Sequence, residues 1–189
     1  MYEIFGFYKF MQIKKIKLLK KNLENFVEEE NVRGSIIISI EGVNGTISFK
    51  PTKYKKVKNK ILNLLNIRKL DNENISYYKY QAFKKGKIKI KKEVVPIGMK
   101  LNKIVTKNKI EPKDWNKFIL KKETVLIDTR KSFEFKVGTF KGSINPELNN
   151  FRDFPQYFKT LQKNQNIGLF CTGGIRCEKA SAYLKKKRF

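Results

Sequence analysis

Apolar positions along this chain follow two rhythms, alternate residues and every third or fourth residue, and these outline the first half. Residues 2–10 (YEIFGFYKF) are aromatic-rich and predict a strand. Ile16, Leu19, Leu23, Phe26 and Val27 then recur at helical spacing, predicting a helix over 14–30. The β-branched run from Gly34 to Glu41 predicts a central strand, and residues 46–49 resume that pattern. Asn44-Gly45 lies between the two runs, where both residues tolerate a positive φ, and predicts a hairpin. Pro51 opens a second helix through about Leu65, with Val57, Ile61, Leu64 and Leu65 on one face. Residues 75–83 (ISYYKYQAF) predict a further strand. The order strand, helix, strand, strand, helix, strand is that of an α+β, ferredoxin-like βαββαβ domain, expected over 1–95.

A different pattern governs the rest. In 84–95, Lys87, Lys89 and Lys91 alternate with Ile88 and Ile90, so an extended backbone sets three ammonium groups on one face. A lysine-protected edge strand and a surface that tracks a polyanion backbone both fit. Residues 96–112 lack periodicity and read as a linker. Trp115, Phe118 and Ile119 then mark a short helix before a buried strand, Thr124 to Asp128. Helical stretches are expected near 132–136 and 151–161, an apolar strand over 166–170, and a helix from Glu178 to Lys187. Strands alternating with helices imply a parallel sheet, so 113–189 is expected to be an α/β domain.

Composition narrows the chemistry more than the fold. The 189 residues include no histidine, which removes Ser-His-Asp triads, His-activated cysteines and HExxH zinc sites. Two cysteines are too few for an all-thiolate zinc site or an iron–sulfur cluster, so no metal site and no resident cofactor is evident. The net charge of +26 favours polyanions, nucleic acid first among them. It is spread evenly, with 23 basic and 9 acidic residues up to residue 100 and 20 and 8 after it. Only 6 of the 43 cations are arginine, however, and the wealth of Lys, Asn and Ile also fits AT-rich coding sequence. No run approaches the length of a membrane span, and no signal peptide opens the chain, so a cytoplasmic protein is expected.

The sharpest chemical feature is Cys171-Thr172-Gly173-Gly174-Ile175-Arg176-Cys177, placed directly after the strand 166–170. A loop at the carboxyl end of a parallel strand is a favoured ligand position. Glycines let successive N–H groups turn inward as an anion-binding nest, and a following helix start adds positive potential. Both lower a thiol pKa without histidine. Cys171 is therefore the candidate nucleophile, with Thr172, Gly173, Gly174, Ile175 and Arg176 as its anion-binding loop. An inert cysteine ending a core strand is the competing reading.

FCTGGIRCEK, with LIDTRKSFEFKVGTFKGSINP upstream, resembles a rhodanese domain. Four residues separate Cys171 from Arg176, whereas cysteine phosphatases of similar architecture use five, so the loop suits sulfur better than phosphate. EGVNGT, DTRxxxE, GTFKGSINP, FRDFP and CTGGIRCEK together resemble the bacterial tRNA uridine hydroxylases, across essentially the whole chain. That resemblance implies oxygen-dependent hydroxylation of the tRNA wobble uridine at carbon 5, with molecular oxygen as co-substrate, tRNA as partner and Cys171 as the essential residue. It leaves open whether Cys171 acts as a thiolate or through a persulfide. Rhodanese domains usually continue past the last helix seen here, so the domain is expected to be short at its C-terminus.

Supporting roles stay open at several positions. Asp128 and Arg130 either brace the loop or form a structural ion pair. Arg176 either caps the loop or meets anionic substrate, and Cys177 either resolves an oxidised Cys171 or simply packs. Two other functions compete with hydroxylation: a sulfurtransferase carrying a Cys171 persulfide, and a non-catalytic RNA-binding module whose rhodanese-like half merely folds.

Overall fold

A computed structural model of the chain describes residues 1–98 and 109–188. It divides into two compact units, Met1–Val94 and Val95–Phe189.

The first unit contains β1 (Tyr2–Phe10), α1 (Ile16–Glu29), β2 (Arg33–Ser39), β3 (Gly42–Phe49), a 3-10 turn at Pro51–Lys53 leading into α2 (Tyr54–Leu65), β4 (Asn72–Tyr78) and β5 (Gly86–Ile90). The strand order is β4-β1-β3-β2-β5. The first four strands pair antiparallel, as a βαββαβ domain requires, and β5 adds a parallel edge to β2. Phe5, Phe7, Ile36, Ile38, Ile47 and Phe49 meet Leu23, Phe26, Val57 and Ile61 of the two helices in one core. Residues 84–95 thus contain an edge strand, with Ile88 buried and Lys87, Lys89 and Lys91 exposed.

Two expectations are corrected here. The β2–β3 turn is Ile40-Glu41, because the register pairs Ser39 with Gly42, and Asn44-Gly45 lies inside β3. Gly45 serves close packing: a Cβ there would stand 2.5 Å from the Phe7 ring. The turn's glycine is Gly42, at φ +148° and crowded against the Lys9 carbonyl. The strand expected at 75–83 begins earlier and ends at Tyr78, since β1 pairs it from Asn72↔Tyr8 to Tyr78↔Tyr2. Its aromatic residues marked an exposed edge and the turn after it.

The second unit contains α3 (Pro112–Ile119), β6 (Thr124–Asp128), α4 (Ser132–Val137), a short broken helix around α5 (Phe154–Tyr157), β7 (Asn166–Phe170) and α6 (Ile175–Lys186). β6 and β7 form a parallel pair, and Ile144 bridges to Ile127 on the far side of β6. Ile97, Ile127, Phe154, Phe158, Ala180, Tyr183 and Leu184 form the core. The fully buried Lys179 of α6 donates to the Val95 carbonyl at 2.6 Å. Of the expected linker 96–112, residues 99–108 lie outside the described residues, Ile97 is in this core and Pro112 starts α3. Among the described residues no helix is long and apolar enough to cross a membrane.

The packing role of Gly45 is testable. A turn glycine at positive φ tolerates asparagine, whereas a glycine facing a core ring does not. Gly45→Asn is expected to cost about 1–3 kcal/mol through overpacking, read as a lower urea midpoint. An unchanged midpoint would restore the hairpin reading.

Candidate active site

Parallel register places the reactive loop. Asp128 pairs with Phe170, so both strands finish at the same end and their next residues, Thr129 and Cys171, emerge side by side. The Thr129 N–H donates to the Phe170 carbonyl at 3.0 Å, and its hydroxyl donates to the same oxygen at 2.9 Å. This fixes the peptide immediately before Cys171.

After Cys171 the chain turns sharply. Gly174 takes φ +87°, a left-handed conformation that suits glycine, and serves as the N-cap of α6. The helix therefore begins at Ile175, three residues before the expected Glu178. This puts Arg176 and Cys177 in the first helical turn, where backbone N–H groups have no helical acceptor. One of these, on Cys177, points back to the Cys171 sulfur, as does the Cys177 thiol. The Gly174 N–H adds a third donor, 3.0 Å from Sγ.

These donors act on a half-buried sulfur. Cys177's thiol lowers the Cys171 pKa most; burial opposes it, and the Cys177 N–H, the Arg176 charge and the Gly174 N–H add to the lowering. The result is about 5, so Cys171 is a thiolate at neutral pH. Cys177 moves the other way: burial and the adjacent thiolate push its own thiol well above the ordinary range. Its sulfur also lies 3.5 Å from the Thr129 hydroxyl oxygen. Thr129 has one proton to give and the Phe170 carbonyl takes it, so Cys177 keeps its own proton to donate. The charged Cys171 sulfur is the stronger acceptor for it.

A second set of contacts holds the loop from outside. Glu134 of α4 accepts from the Thr172 hydroxyl at 2.9 Å and the Lys131 N–H at 3.1 Å, and pairs with Arg176 at 3.7 Å. Burial raises its pKa, but these hydrogen bonds and the Arg176 and Arg130 charges hold the carboxyl below its ordinary value. Arg176 also donates to the Thr129 carbonyl at 3.2 Å. The loop residues Thr172, Gly174 and Arg176 and the flanking Cys177 therefore converge around Cys171, with Gly173 and Ile175 between them.

Asp128 and Arg130 form an ion pair beside the loop, with the Arg130 guanidinium 5.6 Å from the Phe170 ring centre and its charge felt by Glu134 and Cys171. Asp128, 1% exposed, receives Arg130 Nε at 2.9 Å and a terminal guanidinium nitrogen at 2.6 Å. Thr139 donates to the same carboxylate, and Arg130 donates to the Gly138 carbonyl. This pair ties the end of β6 to the 138–139 turn and does not bond to the loop. Thr129 and Glu134 were not singled out in the sequence. Both belong to the DTRxxxE stretch, which was their only signal.

Residues 2–94 match the model of the UPF0176 acylphosphatase-like domain, and residues 111–189 match that of the rhodanese-like domain. The whole chain aligns with a protein of Pelagibacter ubique named tRNA uridine(34) hydroxylase, at 52% identity over 190 residues. It also aligns in full with a protein of the same name from Prochlorococcus marinus, at 39% identity. The chain is a homologue of the tRNA uridine(34) hydroxylases. It spans 63% and 64% of the length of these two relatives. The rhodanese-like half of this homologue carries the Cys171 loop, and the UPF0176 half is the five-stranded unit.

The role of the Cys177 thiol can be checked by iodoacetamide alkylation followed by peptide mass spectrometry across pH. Cys171 is expected to react alone at pH 7, with its rate half-maximal near pH 5 and flat above about 6.5, because the thiolate is the nucleophile. Cys177→Ala should move that midpoint upward, while Cys177→Ser, which keeps a donor, should largely preserve it. A midpoint unmoved in the alanine variant would remove Cys177 from the account.

Proposed function

We propose that this protein hydroxylates the wobble uridine of tRNA at carbon 5, with Cys171 as the reacting residue, molecular oxygen as co-substrate and the cytoplasm as its place of work. Similarity along this whole chain to proteins named tRNA uridine(34) hydroxylase supports the substrate. The observation that carries the chemistry is Cys171 at a helix start, with the Gly174 N–H 3.0 Å from its sulfur and Cys177 beside it lowering its pKa. Carbon 6 of a uracil ring is electrophilic, through conjugation with the carbonyl at carbon 4. Addition of the Cys171 thiolate there moves electron density onto carbon 5, the atom that must gain oxygen. One oxygen atom then enters the base and the other leaves as water, with two electrons and two protons supplied by a dissolved two-electron donor such as a pair of thiols, which is oxidised to a disulfide. Loss of the carbon 5 proton and expulsion of the thiolate restore the ring.

A sulfurtransferase reading draws on the same loop, since its donors would also stabilise a persulfide anion. Two measurements separate the readings. Nucleoside mass spectrometry of tRNA from cells carrying the wild-type or Cys171→Ser protein should show 5-hydroxyuridine lost in the variant, with its thermal melt unchanged. Persistence of the modified base would sink the proposal. Incubation with thiosulfate should leave the intact mass of the wild type unchanged. A gain of one sulfur atom that passes to an acceptor thiol favours sulfur transfer instead.

A further inference from the structure

We propose that the β4 edge of the first unit and the lysine-rich segment after it form a surface for unpaired RNA, gripping bases through Tyr77, Tyr78 and Tyr80. The inference rests on the reading of the protein as an RNA-modifying enzyme and assigns part of the RNA contact to these residues.

Three observations converge on this surface. Tyr77, Tyr78 and Tyr80 are 58%, 54% and 60% exposed, on or just beyond an edge strand and outside the core. Tyr77 and Tyr78 are successive strand residues and take opposite faces, so the edge presents a ring on each side, with Tyr80 beside Tyr78. One of the rings sits beside a cation: the Lys79 amine lies 5.4 Å from the Tyr80 ring centre, and Tyr78 packs edge-on to Tyr80 at 6.2 Å. Tyr2, opposite Tyr78 in the register, has the Lys50 amine 4.2 Å from its ring.

Charge supplies the third observation. From residue 75 to residue 92 the chain has seven lysines and no acidic residue, and all seven lysines are exposed. The carboxylates at the other end of β4 are already engaged, Asp71 by Lys9 and Glu73 by Lys58. The topology turns this sequence run into a track. β4 and β5 are opposite edges of a five-stranded sheet, about 19 Å apart at the usual strand spacing, and residues 79–85 connect them. Tyr78 pairs with the start of β1 and Gly86 with the start of β2, so the connection runs along one end of the sheet. Lys79, Lys84 and Lys85 lie on that path, and Lys87 and Lys89 continue it along β5.

Aromatic rings next to ammonium groups match a single strand, whose bases stack while its phosphates are neutralised. Duplex RNA hides its base faces and offers chiefly phosphates and 2′-hydroxyls, for which the tyrosines would be surplus. An acidic protein would likewise engage the lysines alone.

The test uses the full chain, with a fluorescein-labelled oligouridine and a blunt RNA duplex of equal length followed by anisotropy at two salt concentrations. The wild type should prefer oligouridine. Tyr77/Tyr78/Tyr80→Ala should weaken oligouridine binding about tenfold or more while leaving duplex binding within about twofold, with an unchanged thermal melt. Lys84/Lys85/Lys87/Lys89→Gln should instead flatten the salt dependence for both RNAs. Photocrosslinking of a 4-thiouridine oligonucleotide should label residues 77–80. Equal binding by the tyrosine variant, equal loss on both RNAs, or binding to phosphatidylserine vesicles in preference to oligouridine would overturn the surface. If cells carrying the tyrosine variant keep normal 5-hydroxyuridine and its oligouridine affinity matches wild type, the surface fails and the activity stands. If wild-type cells show no dependence of 5-hydroxyuridine on this protein, it is the enzymatic reading that fails.

Discussion

The site hangs on Thr129. Its backbone N–H and hydroxyl both bond the Phe170 carbonyl, its carbonyl accepts Arg176, and its oxygen touches the Cys177 sulfur. One buried residue thereby joins the end of β6, the end of β7 and the first turn of α6. A short hydroxyl is what this geometry needs. Serine would keep the donor without the methyl group that limits its rotamers, and valine would keep the shape while losing the hydroxyl proton that the Phe170 carbonyl accepts. The loop inherits its order from this clasp, because the peptide before Cys171 cannot swing once its carbonyl is held twice.

The thiolate is consequently stabilised mostly by neutral donors, with Arg176 a smaller contributor. That distinction affects how the site responds to its surroundings. Hydrogen bonds inside a half-buried loop are insensitive to ionic strength, whereas attraction of any polyanion to 43 basic residues is strongly screened by salt. Salt therefore separates the charge of the surface from the state of the sulfur.

Much of this was legible in the sequence. The strands 2–10, 124–128 and 166–170 carry the aromatic or short apolar runs that strands favour, and the Cys171 loop announced itself through its glycines and its place after β7. Other features were hidden for identifiable reasons. Asn44-Gly45 has turn chemistry, yet Gly45 is glycine because the Phe7 ring occupies the space of its side chain, a long-range fact that no local pattern encodes. The start of α6 was placed late because Gly174 provides a cap through its backbone, without a Ser, Thr, Asp or Asn signal. That shift mattered, since it moved Cys177 from loop to helix and aimed its N–H and thiol at Cys171. Thr129 and Glu134 were invisible as site residues because their roles depend on which strands lie side by side.

The buried Lys179 has a consequence for where the second unit can be divided from the first. Its ammonium group, without solvent contact, donates to the Val95 carbonyl at 2.6 Å, and Ile97 joins the core two residues later. A fragment starting at Pro112, where the first helix of the unit begins, would discard that acceptor and take Ile97 out of the core. The second unit accordingly begins at Val95, well before its first regular helix.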